Sequence, residues 1–231
     1  MKLFTKDTLA PFDWFLIIGI FTTNIVYSIL TEEIDLIGSI AGITGLLCVV
    51  LVAKRSMSNY IFGIINVSLY AYISYKSAIY GDALLNALYY LPMQFIGWYA
   101  WIGRKGGVNS QGQSDDSLVK TRAMTPLQRV MLFVFCLAFT LIAGYLLDKY
   151  TLDGQPYKDS FTTVLSVIAM FLMVRAYLEQ WVLWVVVNGV SVIMWCILWL
   201  KGGEHAALMV IMWIFYLANS INGLRVWSRC Q

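Results

Sequence analysis

The sequence predicts an all-α integral membrane protein built from two parallel three-helix repeats, a linker helix between them and an extra N-terminal helix. Of the 231 residues, 60% are hydrophobic and only 13% are charged, and the mean hydropathy is +0.72. Such values are typical of multi-pass membrane proteins and lie outside the range of soluble domains. Eight apolar stretches approach the roughly twenty residues that a helix needs to cross the hydrocarbon core. Six of these fall into two similar groups of three, which predicts the repeats.

The eight predicted helices end where polar or turn-forming residues interrupt the apolar runs. They lie at about 13–30, 35–53, 57–75, 83–103, 127–147, 160–178, 180–200 and 205–226. The first is interrupted by Thr22, Thr23 and Asn24, so it either crosses the membrane or lies at the interface. In the fourth, Pro92 removes a backbone donor, which predicts a bend.

A similarity between the two halves of the chain predicts the internal repeat. The middle segments align with Asn66 on Asn188, an offset of 122, and the third segments align with Trp101 on Trp227, an offset of 126. Because one crossing separates the units, both have the same orientation, as in transporters built from parallel repeats. The predicted parts are an N-terminal helix (1–33), the first repeat (34–103), a cytoplasmic linker (104–126), the linker transmembrane helix (127–150) and the second repeat (159–228).

The stretch from Arg104 to Gln128 is the one long polar part of the sequence. It opens with RKGGVNSQGQSDDS and is rich in Gly, Ser and Gln. Such a composition is typical of flexible connectors, so we expect a flexible cytoplasmic linker here.

The distribution of Lys and Arg predicts the orientation in the membrane. If the N-terminus is cytoplasmic and all eight segments cross, twelve of the sixteen basic residues lie inside. The other four, which lie outside, are Lys76, Lys149, Lys158 and Lys201. Both termini are therefore predicted to be cytoplasmic.

Ionisable side chains are confined to the ends of the predicted segments. No Asp, Glu, Lys, Arg or His lies in the middle of an apolar run. The sequence therefore offers no intramembrane proton relay, no cluster of metal ligands and no activated nucleophile. We expect no enzyme activity, no metal, no cofactor and no nucleic acid partner, and the lipid bilayer is the expected surrounding.

The polar groups inside the apolar runs are amides and aromatic side chains arranged in stripes at helical spacing. Trp181, Trp184 and Asn188 form one stripe in the seventh segment. The third, fourth and eighth segments contribute Asn66, Tyr90, Gln94, Trp98, Tyr216 and Asn219. An amide in the hydrocarbon core is costly unless something bonds it, so the stripes either join neighbouring helices or line a polar cavity. Four stripes spread over both repeats favour the cavity.

Two motifs resemble those of the PnuC family of bacterial vitamin transporters. They are Trp181-x-x-Trp184-x-x-x-Asn188 and Pro92-x-Gln94-x-x-Gly97-Trp98-Tyr99-x-Trp101, and the likeness covers about residues 34–228. The resemblance implies a fold similar to that of SWEET sugar transporters, a bacterial inner-membrane location and a homotrimer. It also implies that nicotinamide riboside is the substrate, moved by facilitated diffusion and trapped by cytoplasmic phosphorylation. The alternative is another vitamin, such as thiamine or riboflavin, and the extra N-terminal segment departs from many relatives.

The chemistry of the stripes agrees with nicotinamide riboside, which carries a fixed positive charge on a planar ring and hydroxyls on its ribose. Indole faces stabilise such a cation by roughly 0.5–2 kcal/mol without a buried carboxylate. Amides donate to and accept from hydroxyls. The predicted substrate-binding residues are Asn66, Tyr90, Gln94, Trp98, Trp181, Trp184, Asn188, Tyr216 and Asn219.

Overall fold

The computed structural model describes residues 9–31, 36–76, 80–108, 114–151, 156–201 and 206–230. Its helices are α1 (Pro11–Thr31), α2 (Leu36–Ala53), α3 (Asn59–Lys76), α4 (Tyr80–Leu85), α5 (Leu91–Ile102), α6 (Pro126–Tyr150), α7 (Pro156–Val174), α8 (Gln180–Leu200) and α9 (Ala206–Ser228), and its strands are β1 (Lys105–Val108) and β2 (Ser114–Val119). A π-helical turn, Asn86–Tyr90, joins α4 to α5 and ends beside Pro92. The eight predicted segments therefore correspond to eight helical units, which confirms the predicted all-α class.

Six of the helices are long and apolar enough to cross a membrane, namely α1, α2, α6, α7, α8 and α9. The two remaining units, α3 and the α4–α5 unit, pack among them. Their sequences carry more amides and tyrosines, and Pro92 with the π turn divides the second of them. Polar groups inside these two units mark the part of the bundle where a site is expected.

Helix α1 packs against α2 and α9, and its polar residues are satisfied within the helix. Thr23 Oγ1 donates to the Gly19 carbonyl at 2.8 Å, and Asn24 Nδ2 donates to the Ile20 carbonyl at 2.8 Å. These bonds satisfy the side chains within the helix itself. Apolar residues of α1 pack against α2 and α9. Its length and composition are those of a membrane-crossing helix.

The first helix of each repeat ends in the same five-residue turn. Arg55 and Ala176, 121 residues apart, adopt positive φ angles of 58° and 55°. In the first turn Ser56 N donates to the Leu51 carbonyl at 3.0 Å, and in the second Tyr177 N donates to the Leu172 carbonyl at 3.0 Å. Positive φ is uncommon outside glycine, so its recurrence with the same hydrogen bonds indicates equivalent turns.

The offset of 121 corrects the alignment of the middle helices. Asn59 and Gln180 begin α3 and α8, are fully buried and are also 121 residues apart. In this register Asn66 matches Val187, so the offset of 122 that places it on Asn188 is one residue too large. One residue turns a helix by about 100°, and the two asparagines accordingly face different neighbouring helices.

The third helix of each repeat bonds the first helix of the other repeat. Trp101 Nε1 donates to the Met173 carbonyl at 3.1 Å, and Trp227 Nε1 donates to the Val52 and Ala53 carbonyls at 3.3 and 3.2 Å. Met173 and Val52 are again 121 residues apart. The paired tryptophans, aligned at an offset of 126, therefore have equivalent roles on the two sides of the molecule.

A second aromatic ring supports each of these tryptophans. Tyr60 meets Trp101 edge-on with ring centroids 5.2 Å apart, and Trp181 meets Trp227 edge-on at 5.9 Å. We call these four residues the aromatic clamp. Edge-to-face pairs of this kind stabilise beyond the area that they bury. The clamp holds the two repeats together near one end of the bundle.

The stretch from Arg104 onward, expected to be a flexible linker, contains an antiparallel β-hairpin in its described part. Val119 is fully buried, and its N–H donates to the Arg55 carbonyl at 3.1 Å. Beyond the hairpin, Arg122 N donates to the Ala176 carbonyl at 3.0 Å. Gly106 has a positive φ of 87° at the irregularity in the register. The glycine permits a bulge here, and the linker docks on the equivalent turns of both repeats.

The basic residues expected inside share one end of the bundle, which we call the basic end. Those that the structure describes there are Lys54, Arg55, Arg104, Lys105, Lys120, Arg122, Arg129, Arg175, Arg225 and Arg229. At this end Lys54 pairs with Asp13, at the start of α1, at 2.5 Å. The start of α1 and the end of α9 therefore lie at the same end, as an even number of crossings requires. The four lysines expected outside lie at the other end.

Candidate functional site

A layer of neutral polar side chains crosses the bundle between the aromatic clamp and the far end. Gln94 and Asn188 each lie eight residues from the helix terminus at the basic end, a depth of roughly 12 Å. Five side chains from α3, α5, α8 and α9 form this layer, which we call the polar layer: Asn66, Gln94, Asn188, Tyr216 and Asn219. All five belong to the predicted binding set.

Gly45 of α2 is the point at which the two repeats bring polar atoms together. A Cβ atom at this glycine would lie 2.7 Å from Asn66 Nδ2 and 2.9 Å from the Tyr216 hydroxyl. Asn66 Nδ2 also donates to the Ala41 carbonyl at 2.8 Å. An amide of the first repeat and a hydroxyl of the second therefore face the same small space.

Gln94 places a buried acceptor in the polar layer. Its side chain is only 4% exposed and lies against Gly63, close to Cys48. Its Oε1 atom has no hydrogen-bond partner among the described residues. A buried polar atom left without a partner costs about 1–3 kcal/mol, so this oxygen is a strong candidate for bonding a ligand.

Asn219 provides a second such acceptor from the other repeat. The residue is 1% exposed, and its Nδ2 donates to the Val49 carbonyl at 3.1 Å. Its Oδ1 finds no donor within the described part of the chain. Beside it, Asn188 Nδ2 donates to the Ser220 hydroxyl at 2.6 Å. Within the polar layer, each repeat thus contributes one buried carbonyl oxygen without a hydrogen-bond donor among the described residues. Two further amide oxygens without donors, Asn59 Oδ1 and Gln180 Oε1, lie outside the layer at the starts of α3 and α8.

Three aromatic members of the predicted set are half-buried. Tyr90 lies beside the Ser166 hydroxyl of α7, and Trp98 packs against the core that surrounds the aromatic clamp. Trp184 packs against that core and against a second cluster between α6, α7 and α8. Partly exposed rings of this kind retain a face for a planar ligand.

Trp181 stands apart from the rest of the predicted set. It is 2% exposed and lies between Gly223 and Trp227 as a member of the aromatic clamp. Its counterpart in the first repeat is Tyr60, which lies against Gly97 in the same way. Its Nε1 has no hydrogen-bond acceptor among the described residues, but the tight enclosure of its indole favours a role in packing beneath the polar layer.

Several small residues at the polar layer were absent from the predicted set. Gly45 and Gly63 leave room for the Asn66 and Gln94 amides, and Ser220 accepts the hydrogen bond from Asn188. The sequence carries one signal for the glycines: each interrupts an apolar run where a larger residue would be expected. That signal shows a close approach but not the identity of its neighbour.

A separate cavity of about 480 Å³ lies between α6, α7 and α8. Its walls are largely apolar, and the ion pair of Arg129 and Glu179 lies at one end. None of the nine predicted binding residues lines it. An apolar cavity between membrane helices does not suit a substrate rich in hydroxyls.

Comparison with known proteins gives one consistent set of matches. A family model described as "Nicotinamide mononucleotide transporter" matches residues 35–229. The nicotinamide riboside transporter PnuC of Neisseria mucosa is 37% identical over 194 residues, which cover 84% of this chain and 72% of that protein. The protein of the same name from Haemophilus influenzae is 33% identical over 190 residues, covering 82% and 78% of the two chains.

A solved structure agrees with these matches. The crystal structure of the vitamin B3 transporter PnuC superposes with a TM-score of 0.79 at 33% identity, covering 96% of this chain and 92% of the other. The family model begins after α1. The structural match covers 96% of this chain, so the part left uncovered is shorter than the 21 residues of α1. The N-terminal helix therefore has a counterpart in at least this solved relative.

Proposed function

This chain belongs to the PnuC family of membrane transporters, and from that premise we propose that it carries nicotinamide riboside across the membrane. The names of the curated relatives support this substrate. The observation that carries the proposal is the polar layer, where each repeat presents one buried, unpartnered carbonyl oxygen, Gln94 Oε1 and Asn219 Oδ1. Sites between repeats at mid-membrane are typical of transporters with this architecture.

The chemistry of the layer matches that of the riboside. Its hydroxyls and carboxamide are donors for Gln94 Oε1 and Asn219 Oδ1, while Asn66 and Tyr216 offer further polar contacts at Gly45. Half-exposed indoles at Trp98 and Trp184 suit a planar cation. We propose that Tyr90 and Asn188 complete the site and that Trp181 supports it from below.

We propose that transport is facilitated diffusion. Within the described helices, Asp, Glu, Lys and Arg lie only at or near the helix ends. Coupling to protons or to sodium ions normally uses a buried ionisable group or an unwound helix that coordinates the ion. A passive carrier needs neither. Cytoplasmic phosphorylation would keep the internal concentration of free riboside low and so maintain net uptake.

The second candidate substrate is nicotinamide mononucleotide, because the matching family model bears its name. The mononucleotide carries one additional phosphate, close to two negative charges at neutral pH. Phosphate sites normally supply Arg, Lys or a free helix N-terminus, and the polar layer consists of neutral side chains. An unpaired dianion buried there costs several kcal/mol, which lowers affinity about a thousandfold or more. The layer therefore favours the riboside, and the same discrimination would trap the phosphorylated product.

Competition for binding to the purified protein tests the choice of substrate. Unlabelled riboside should displace labelled riboside, whereas mononucleotide in large excess should leave binding unchanged. Thiamine and riboflavin, the alternative vitamins, serve as further competitors. Equal displacement by riboside and mononucleotide would reject this proposal, and stronger displacement by thiamine or riboflavin would assign a different vitamin.

We further propose a bacterial inner-membrane location with both termini in the cytoplasm, and a homotrimeric assembly. The location and orientation rest on the common basic end and the positive-inside rule. The trimer rests on family resemblance, and mass measurement of the protein released from native membranes tests it. A monomeric mass under conditions that preserve riboside binding would reject the trimer.

A further inference from the structure

Three arginines from three different elements meet at the basic end. Arg104 follows the last helix of the first repeat, Arg122 lies in the linker, and Arg175 follows the first helix of the second repeat. Arg104 Nη1 donates to the Arg175 carbonyl at 2.6 Å, and Arg122 Nε donates to the same oxygen at 3.0 Å. Because both donors bond one oxygen, their guanidinium groups lie side by side. We call these residues the arginine cluster.

Aromatic rings fix two members of the cluster. The Arg122 guanidinium lies 4.0 Å from the centroid of the Tyr177 ring, and that of Arg175 lies 5.3 Å from the Phe171 ring. Stacking on a ring orients a guanidinium without neutralising its charge. The cluster is therefore held in place before any ligand arrives.

The positive charge of the cluster has no carboxylate counterpart in the described part of the chain. None of the three arginines belongs to an ion pair there. Partial burial and the charges of Arg122 and Arg175 lower the pKa of the Arg104 guanidinium. The acid closest in sequence, Glu179, instead accepts from Arg129 Nε at 2.9 Å and from Met124 N at 3.0 Å. The cluster is thus a local concentration of uncompensated positive charge.

We propose that the arginine cluster is a binding site for a phosphate group. A guanidinium has five N–H donors in a planar fork, and the bonds to the Arg175 carbonyl use one donor each of Arg104 and Arg122. The remaining donors suit the oxygens of a phosphate, which Arg recognises by paired hydrogen bonds. The phosphate belongs either to a soluble phosphate or phosphate monoester or to the headgroup of an anionic lipid.

This site is distinct from the polar layer. Arg104 and Arg175 lie just beyond the ends of α5 and α7, whereas Gln94 lies eight residues inside α5, a separation of roughly 15 Å. Arg104 and Arg122 both lie in the linker and meet at the backbone carbonyl of Arg175 in the second repeat, so a phosphate bound to the two side chains would tie the linker to that repeat. Ligands that bind only the folded state raise its melting temperature.

The test measures the melting temperature of the purified protein in detergent as the concentration of inorganic phosphate is raised. Chloride at equal ionic strength is the reference. Phosphate should raise the melting temperature of the wild type, and Arg104→Gln or Arg122→Gln should weaken the apparent affinity about tenfold, since each removes charge-assisted hydrogen bonds. Arg225→Gln, a change to an exposed arginine at the same end, should respond like the wild type. Riboside binding, measured in parallel, should be unaffected in all three variants.

A second arm separates the two sources of phosphate. Melting is repeated in nanodiscs of phosphatidylcholine with and without phosphatidylglycerol. A response to soluble phosphate assigns a free phosphate, and a response to phosphatidylglycerol alone, lost in the same two variants, assigns a lipid headgroup. If Arg104→Gln does not fold, Arg104→Lys keeps the charge without the fork and should weaken binding by less. Wild-type melting that responds to neither ligand, or variants that respond undiminished, would overturn the proposal.

Discussion

Trp184 and Trp181 lie three residues apart on α8, but their surroundings differ. Trp184 is half-buried against two apolar clusters, whereas Trp181 is enclosed by Gly223 and Trp227. Replacing Trp184 by Leu keeps apolar bulk and removes the negative face of the ring. Riboside affinity should fall roughly tenfold, the equivalent of a cation–π interaction near 1.4 kcal/mol. Equilibrium binding measures the loss, and melting of the ligand-free protein should change little.

Trp181→Leu is the matched comparison for that experiment. It removes a ring from the aromatic clamp, so it should lower the melting temperature. The riboside affinity of the folded fraction should change less than in Trp184→Leu. If Trp184→Leu unfolds the protein while the remaining folded fraction binds normally, Trp184 is a packing residue and its place in the site is lost.

Gly223 tests the close packing beneath the polar layer. A Cβ atom there would lie 2.6 Å from Trp181, so Gly223→Ala forces the enclosed indole to move. Overpacking of this kind destabilises by about 1–3 kcal/mol, and the melting temperature should fall. Gly189→Ala is the control on the same bundle, because a Cβ atom at Gly189 meets nothing within 4 Å. Equal melting temperatures for the two variants would contradict the packing assigned to Trp181.

At the scale of elements, the clamp makes the two repeats mutually dependent. Trp101→Phe and Trp227→Phe each remove an indole N–H that donates to carbonyl oxygens at the end of α7 or α2. The Met173 and Val52 carbonyls keep their backbone donors, Ala176 N and Arg55 N, so each change removes the side-chain bond between the repeats without orphaning these two acceptors. Each change should destabilise by about 0.5–1.5 kcal/mol, and the melting temperature should fall by similar amounts in the two variants. The control is Trp199→Phe, since Trp199 is 55% exposed. A large effect in one clamp variant alone would show that the two sides are not equivalent.

Helix number and class were predictable, because hydrocarbon thickness sets helix length and apolar composition is easy to read. The hairpin of β1 and β2 was not, since it has no strand-like side-chain pattern and is joined to the bundle by the backbone bond from Val119 N to the Arg55 carbonyl. The one-residue error at Asn66 has a similar origin. Matching residue types aligned two asparagines, whereas the register is set by turns with different sequences, which begin at Lys54 and at Arg175.

The polar layer was predictable in outline, whereas the binding role of its residues stays a prediction. Amides inside apolar helices are rare enough to mark the polar layer, and Gln94 and Asn219 indeed carry buried acceptors without partners. The position of Trp181 was not predictable, because a stripe at helical spacing gives the face of a helix but not what covers that face. Only the approach of Gly223 and Trp227 distinguishes it from Trp184.

At the scale of the whole molecule, the basic end should face the cytoplasm. Reporter fusions at Gln231 and in the 104–128 linker should both give a cytoplasmic signal, because the described basic residues of the predicted inner set share that end. A fusion after Lys76, at the other end, should give an external signal. An external signal from either of the first two fusions would overturn the orientation.

The central claim is that the molecule is a passive carrier of nicotinamide riboside, and uptake into proteoliposomes tests it most directly. Liposomes that contain the purified protein and unlabelled riboside should take up labelled riboside by counterflow without any ion gradient, since the described helices carry Asp, Glu, Lys and Arg only at or near their ends. A protonophore should leave the rate unchanged, and protein-free liposomes should take up none. Failure of riboside counterflow, or accumulation above equilibrium that a protonophore abolishes without a kinase present, would contradict the account.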